Sequence, residues 1–444
     1  MKVVLISLDA LFDQDLPLMR QQPFFGEFLA HASGCTHVRT VYPALTYPAH
    51  TTLVTGVDPR QHGIGHNQPH HPELEASMRP WYWDRAQVKV PNLFDAVKEA
   101  GGSCASVLWP VTGKTKSIRW NFPEVLALPG ENQTWKMLRY GTPLWLLQME
   151  LRHRSERVSL REPYLSDYAT ILLKDVIASH APDLSAVHLV DLDDMRHHHG
   201  VFNRETRKAI QRLDHRAAEI WETMQHTPGM EGAALCLVSD HGQADVRETV
   251  SLTRLGLGSL FTVQSNGFGA YLFFRQKEEE AAHLRELTDF LRQHMAELRA
   301  SAVYSAEDLA AMGAVEGVSL AVEAAPGVVY DDGLPQAKRE KATHGFGPGH
   351  PAENCLFALR GKGIRAGLLE LQTLWPFPAE LVRDRTEGAR NVYVVEMNMG
   401  HIMAQVRQAA WKPDRVFLVN RVDGQLITPT DIGKVMRVIE GRGF

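Results

Sequence analysis

Eight short runs of aliphatic and β-branched residues, at 3–8, 104–108, 186–192, 233–239, 270–274, 355–359, 392–395 and 416–419, constrain this chain more tightly than any other feature. Each is too short for a buried helix and continuously apolar rather than alternating, the pattern of a strand covered on both faces. Between them, stretches with helical periodicity fall at 90–100, 164–180, 204–226 and 278–299. Such strands alternating with helices predict a doubly wound α/β fold around a mixed, mostly parallel sheet. In these sheets ligands gather at the carboxyl ends of strands. Asp9, Asp193 and Asp240 each close or follow a predicted strand, which marks them as candidate site residues.

The 444 residues are 22% charged and 44% hydrophobic, as in a soluble globular protein, and no apolar run approaches a membrane span. A net charge of −5 gives no basic field for long nucleic acid, so a small anionic substrate would need local cations, which bound metals supply. Cys35, Cys104, Cys236 and Cys355 are isolated, and the reading is free, mostly buried thiols rather than disulfides or a thiolate metal site. The amino-terminal apolar run already ends at Asp9 without a signal-peptide h-region, so a cytoplasmic protein is expected. Two irregular stretches, 66–84 and 325–351, are expected to form a loop over the site and a return carrying His344 to it.

Taken singly, the candidate residues have plain structural readings. An aspartate after a strand is commonly a turn or cap residue, and a threonine hydroxyl is a poor nucleophile unless a metal or base takes its proton. A mixed Asp/His set suits zinc and also admits manganese or iron. His70, His71, His198, His199 and His350 read as surface or supporting residues. Trp81, Tyr82 and Trp83 either pack or offer stacking to a base. Lys114 and Lys116 either lie in a solvated loop or hold a substrate carboxylate.

Taken together they say more. The segments Leu5-Ile6-Ser7-Leu8-Asp9-Ala10, Pro43-Ala44-Leu45-Thr46-Tyr47-Pro48-Ala49-His50 and Val238-Ser239-Asp240-His241-Gly242 resemble the alkaline phosphatase superfamily, in its nucleotide pyrophosphatase/phosphodiesterase branch, over about residues 1–365. The resemblance implies an alkaline-phosphatase-type fold and two divalent ions, zinc foremost. One would be held by Asp9, Thr46, Asp240 and His241, the other by Asp193, His197 and His344. It also implies Thr46 as the nucleophile of a phosphothreonine mechanism, on a helix start whose free amides would favour a phosphoryl group. Asn67, ending His62-Gly63-Ile64-Gly65-His66-Asn67, would donate to a nonbridging oxygen. In Asp193-Asp194-Met195-Arg196-His197-His198-His199-Gly200, Arg196 stands where the branch has glycine, which leaves His198 and Asp191 as substitute ligands. The implied activity is hydrolysis of phosphodiester or pyrophosphate bonds in small, nucleotide-like molecules. The alternative is a phosphonate, phosphonoacetate or phosphomonoester hydrolase.

The tail at 366–444 departs from that pattern. Leu371-Gln372-Thr373-Leu374-Trp375-Pro376-Phe377-Pro378, Val395-Glu396-Met397-Asn398-Met399-Gly400 and Asp423-Gly424-Gln425-Leu426-Ile427-Thr428-Pro429 resemble the carboxyl-terminal end of the alpha subunit of 2-oxoacid:ferredoxin oxidoreductases. Neither a thiamine diphosphate motif nor cysteine clusters for iron–sulfur centres accompany them. The tail is read as a small α/β segment for structure, homo-oligomer formation or protein contact. It either closes the hydrolase sheet or stands as a separate domain. A non-catalytic assembly protein acting through this tail is the reading of another class.

Overall fold

A computed structural model describes residues 2–275, 280–331, 340–361, 371, 375–422, 427 and 429–439. Residues 278–279 of the expected fourth helix, 332–339 of the second irregular stretch, 362–365, and parts of the tail motifs (372–374, 423–426 and 428) lie outside them. The chain divides into two compact units, Met1–Ala366 and Gly367–Phe444.

In the first unit the strands of the two larger sheets are β1 (Val3–Leu8), β2 (Ser33–Arg39), β3 (Cys104–Val107), β4 (Trp120–Phe122), β5 (Leu184–Leu189) and β6 (Ala234–Val238). They are followed by β7 (Phe261–Ser265), β8 (Gly269–Phe274), β9 (Ala300–Tyr304), β10 (Leu320–Ala324) and β11 (Asn354–Arg360). Seven of them form the central sheet in the order β2-β11-β6-β1-β5-β3-β4. Pairings among β6, β1, β5, β3 and β4 are parallel, and β11 runs antiparallel to both its neighbours. This is the doubly wound arrangement expected of continuously apolar strands. Val4, Ile6 and Leu8 of β1 enter one apolar cluster with helices α1 (Pro23–His31), α4 (Tyr164–His180) and α6 (Arg204–His226), while Leu5 enters another on the opposite face. Helices α2 (Thr46–Thr55), α3 (Leu93–Glu99) and α5 (Asp191–His199) complete the set that matters for the site.

Three sequence expectations need local correction. The apolar run at 186–192 leaves the sheet at Leu189 and turns into α5, so Asp193 lies in a helical first turn rather than at a strand end. Asp191, Asp193 and Asp194 complement the positive end of that helix, Arg196 to His199 the negative end, and Gly200 at φ 91° ends it. Helix α3 begins at Leu93 rather than 90 because the Asn92 side chain accepts from the Asp95 N–H and caps it there. The run at 270–274 is a strand, but of a separate antiparallel sheet in the order β9-β10-β8-β7 with its own core.

In the second unit β12 (Val392–Glu396) pairs in parallel with β13 (Val416–Asn420) through helix α8 (His401–Ala409), flanked by α7 (Ala379–Thr386) and α9 (Pro429–Ile439). Val382, Val406, Ala409, Ala410 and Val416 form a core of their own. Among the described residues, the strand at the far side of the hydrolase sheet's β6 is β11, so the tail strands form a separate two-stranded sheet. Among the described residues no helix is long and apolar enough to cross a membrane. Cys104, Cys236 and Cys355 are buried and free, and Cys35 is half-buried and free.

Candidate metal centre and nucleophile

Strand register builds the centre. Ser7 is opposite Val238 in the parallel β1–β6 pair, so two residues further on Asp9 and Asp240 leave the sheet side by side. His241 follows Asp240, with its Nε2 3.2 Å from Asp240 Oδ2 and 3.6 Å from Asp9 Oδ1. On α5, Asp193 and His197 are four residues apart on one helical face and approach to 3.2 Å. His344 arrives from the loop before β11, its Nδ1 2.8 Å from the Ala44 carbonyl and its ring stacked on His241 at 3.7 Å. Among the described residues three three-residue groups with ligand-capable geometry result: Asp9 with Asp240 and His241, Asp193 with His197 and His344, and His50 with His188 and Asp240, which shares Asp240 with the first. Thr46, the first residue of α2, places its Oγ1 3.1 Å from His241 Nε2.

The donor set fits divalent cations. Asp9 Oδ1 and Asp240 Oδ2 are buried with no hydrogen-bond partner among the described residues, a costly arrangement unless a cation satisfies them. Burial, reinforced by repulsion from Asp240 and Asp193, holds the Asp9 carboxyl well above the usual range. Burial likewise lifts Asp240 to about 6. Burial keeps His241 and His344 neutral, down at about 4 and about 3, which leaves lone pairs for coordination. Burial would raise Asp193 too, but His197 outweighs it and holds the carboxylate ionised.

A pH dependence follows. A cation bound here requires anionic Asp240, whose cation-free form takes up a proton as pH falls through about 6. Zinc affinity is therefore expected to fall as pH falls, by about tenfold per pH unit for each proton displaced: the Asp240 proton enters near pH 6, and that of His197, which against burial Asp193 and Glu340 hold well above its usual pKa, enters at higher pH. Calorimetric titration in buffers of different ionisation enthalpy checks this through proton release; affinity independent of pH between 5 and 7 would refute it.

The neighbours of the centre were not singled out by the sequence. His188 on β5 is fully buried, with Nε2 2.8 Å from Asp9 Oδ2 and Nδ1 3.0 Å from Glu124 Oε2, while Tyr47 Oη reaches Glu124 Oε1 at 3.3 Å. Burial opposes charge on His188, yet the two carboxylates prevail and raise its pKa well above the usual value. Gln243 donates to Asp193 Oδ1, leaving Oδ2 toward His197. His50, one turn along α2, is buried, with Nδ1 2.8 Å from the Thr46 carbonyl and 3.4 Å from Asp240 Oδ2. A histidine inside the apolar run at 186–192 was a readable signal for His188; Glu124 carried none.

Other expectations are placed as follows. Asn67 Oδ1 accepts the Tyr47 N–H at 2.9 Å, so its amide group sits beside Thr46 with its N–H donors left over. That bond, with Pro48 lacking an N–H, corrects the expectation of free amides along the helix start. The loop at 66–84 is anchored to β7 by His66 to the Ser265 carbonyl and His70 to Thr262 Oγ1, each 2.9 Å. Trp81 meets the Tyr47 ring edge-on at 5.1 Å and Tyr82 donates its N–H to the Asn67 carbonyl; both are half-buried. Trp83 is buried beneath Lys136. Lys114 is paired with Asp84 at 2.6 Å and Lys116 is exposed. His198 is exposed, and Asp191 is saturated by Arg212 and Arg216, so neither joins the ligand groups. His71 and His199 stay outside as well, and His350 stacks on Phe346 at 3.7 Å.

Comparison with known proteins meets this geometry. The chain matches the type I phosphodiesterase/nucleotide pyrophosphatase family over residues 3–346 and the pyruvate:ferredoxin oxidoreductase core domain II over residues 349–432. It is 26% identical over 215 residues to human ectonucleotide pyrophosphatase/phosphodiesterase family member 1, covering 46% of this chain and 19% of that protein. It is 36% identical over 78 residues to the 2-oxoglutarate synthase subunit KorA of Methanothermobacter marburgensis, covering 17% of this chain and 21% of that one. The chain thus spans about a fifth of the length of these curated relatives. In fold it is similar to murine ectonucleotide pyrophosphatase/phosphodiesterase 5, solved as an inactive threonine-to-alanine variant in complex with AMP, with TM-score 0.61 at 18% identity over 82% of this chain and 89% of that chain. The human counterpart has the same TM-score at 18% identity, over 84% of this chain and 98% of that chain. With a profile match spanning β1 to His344, the chain belongs to the type I phosphodiesterase/nucleotide pyrophosphatase family.

Proposed function

We propose that this chain hydrolyses phosphodiester or pyrophosphate bonds of small, nucleotide-like molecules, with Thr46 as nucleophile and two divalent ions as cofactors. The observation that carries the reading is the Thr46 hydroxyl on a helix start, 3.1 Å from His241 and beside two buried ligand groups. Asp9, Thr46, Asp240 and His241 would hold one ion, and Asp193, His197 and His344 the other. Zinc suits these donors best, with manganese or iron also accommodated. When bound, the ions supply charge neutralisation and lower the pKa of an oxygen nucleophile. Thr46 Oγ1 would form a bond to phosphorus as the bond to the leaving oxygen breaks, with the hydroxyl proton passing through solvent to that oxygen. Water would then attack the phosphorus of the phosphothreonine, the Thr46 Oγ1–phosphorus bond would break, and a proton of the water would return to Oγ1 as the phosphate product leaves. Asn67, its Oδ1 fixed by Tyr47, donates to a nonbridging oxygen as charge builds there. Trp81 and Tyr82, beside Tyr47 and Asn67, are assigned to contact with the substrate's base. The AMP complex of the inactive threonine variant of the murine relative supports this reading.

Among the described residues, the side chains of Asp9, Asp193 and Asp240 are paired with His188, His241, His197, His50, Gln243 and the Ala10 N–H, and with no lysine or arginine. A site whose positive charge comes from its ions favours a monoanionic diester over a dianionic monoester. Metal-reconstituted protein is expected to turn over bis-p-nitrophenyl phosphate at least about tenfold faster than p-nitrophenyl phosphate, a transition-state difference of about 1.4 kcal/mol. Monoester preference would move the reading to the phosphomonoester or phosphonate alternative. The tail, with its oxidoreductase-like match, is proposed as a protein-contact segment.

A further inference from the structure

One member of each ligand group, His241 in the first and His344 in the second, sits on a loop, and one carboxylate ties the two loops together. In the antiparallel β6–β11 pair, Phe357 is opposite Val238, and the Ser239 N–H donates to the Leu356 carbonyl at 3.0 Å. Continuing that register past the sheet brings Glu353 opposite Gly242. There Glu353 Oε2 accepts the Gly242 N–H at 3.0 Å, and Oε1 accepts the N–H groups of Gly345 at 3.0 Å and Phe346 at 3.2 Å. Glu353 is 1% exposed, so these three donors are its company in place of water.

Each bonded glycine directly follows a proposed ligand. Gly242 follows His241 and its carbonyl lies 3.2 Å from His241 Nδ1; Gly345 follows His344. Neither glycine tolerates a side chain at this approach. A Cβ on Gly242 would meet the Ala352 carbonyl oxygen at 1.9 Å, and one on Gly345, at φ 107°, the Asn266 carbonyl oxygen at 1.7 Å. The close passage of three backbone segments around one carboxylate is therefore built in, and its outcome is the parallel stacking of the His241 and His344 rings at 3.7 Å.

We propose that Glu353 is a positioning residue that sets the spacing of the two cation sites, by holding the loop of His241 and the loop of His344 on its two oxygens. The inference rests on the two-ion reading. Glu353 lies beyond the phosphodiesterase match, which ends at 346, and inside the oxidoreductase match, which begins at 349, so the hydrolase site is completed by residues outside its own family profile.

The test uses the full chain loaded with Mn2+, comparing wild type with Glu353→Gln and Glu353→Asp by calorimetry and electron paramagnetic resonance. Wild type is expected to bind two Mn2+ ions with a spin-coupled signal. Glu353→Gln keeps the shape but turns an N–H donor toward one of the backbone N–H groups. It should weaken the second ion by about 10- to 100-fold, in line with outer-shell metal-site substitutions, and change the coupling. Glu353→Asp keeps the carboxyl group but falls short in reach, so its coupling should change too; if Glu353→Gln fails to fold, this variant alone decides. Folded variants that bind two Mn2+ with wild-type affinity and coupling, even at a lower Tm, would overturn the inference. A wild type that binds fewer than two ions would sink the two-ion reading itself, and the inference with it.

Discussion

Thr46→Ala is expected to lower diester turnover by roughly four to six orders of magnitude, as loss of a covalent nucleophile does, while metal content stays close to wild type. The two effects separate because Thr46, in the proposed reading, would add one oxygen to the group of Asp9, Asp240 and His241, which lie on other elements and keep their positions. Folding should hardly change. Thr46 occupies the first helical position of α2 while Leu45 is the cap residue, so alanine removes no capping bond. The variant should therefore still bind nucleotide monophosphate, measurable by calorimetry, with single-turnover assays reporting no phosphorylated protein. Turnover within tenfold of wild type would exclude Thr46 as the attacking group.

The second large effect concerns stability. Arg196→Ala should destabilise the fold by about 3–5 kcal/mol, because it strands a buried carboxylate. The guanidinium is fully buried, 2.6 Å from Asp15 Oδ1, bonded to the Ala10 carbonyl and 4.8 Å over the Phe12 ring. It thereby fixes the turn after Asp9, where Ala10 sits at φ 59°, against the helix that carries Asp193 and His197. Lysine would not substitute, since a point charge cannot serve both acceptors in the same plane. The double change Arg196→Met with Asp15→Leu removes both charges and should recover most of the loss in urea denaturation. A single variant as stable as wild type would show that the pair contributes nothing net.

This arginine also shows where reading a sequence stops. Its position in the Asp193–Gly200 segment is where the resembling branch has glycine, and by itself it leaves open whether His198 or Asp191 replaces a ligand. Folded, it resolves that question through partners at Ala10 and Asp15, more than 180 residues away in the chain. His188 and Glu353 behave alike: the first bridges Asp9 and Glu124, the second Gly242 and Gly345. Glu353 has no local pattern around it, His188 only its place inside an apolar run, and in both the partners are chosen by strand register.

What the sequence by itself determined is whatever local chemistry and periodicity encode. Continuous apolar runs made buried parallel strands, helical periodicity made Tyr164–His180 and Arg204–His226, and a few segments of ligand-type residues marked Asp9, Thr46, Asp193, His197, Asp240, His241 and His344. The tertiary structure alone decided which carboxylates face each other, which histidines hold ligands rather than join them, and that the amides of the Thr46 helix are already partly used. Those outcomes depend on contacts between residues about 20 to 300 apart, fixed by sheet register and loop packing. No short stretch of chain contains that information, because hydrogen bonds and burial between distant segments exist only once the sheet has assembled.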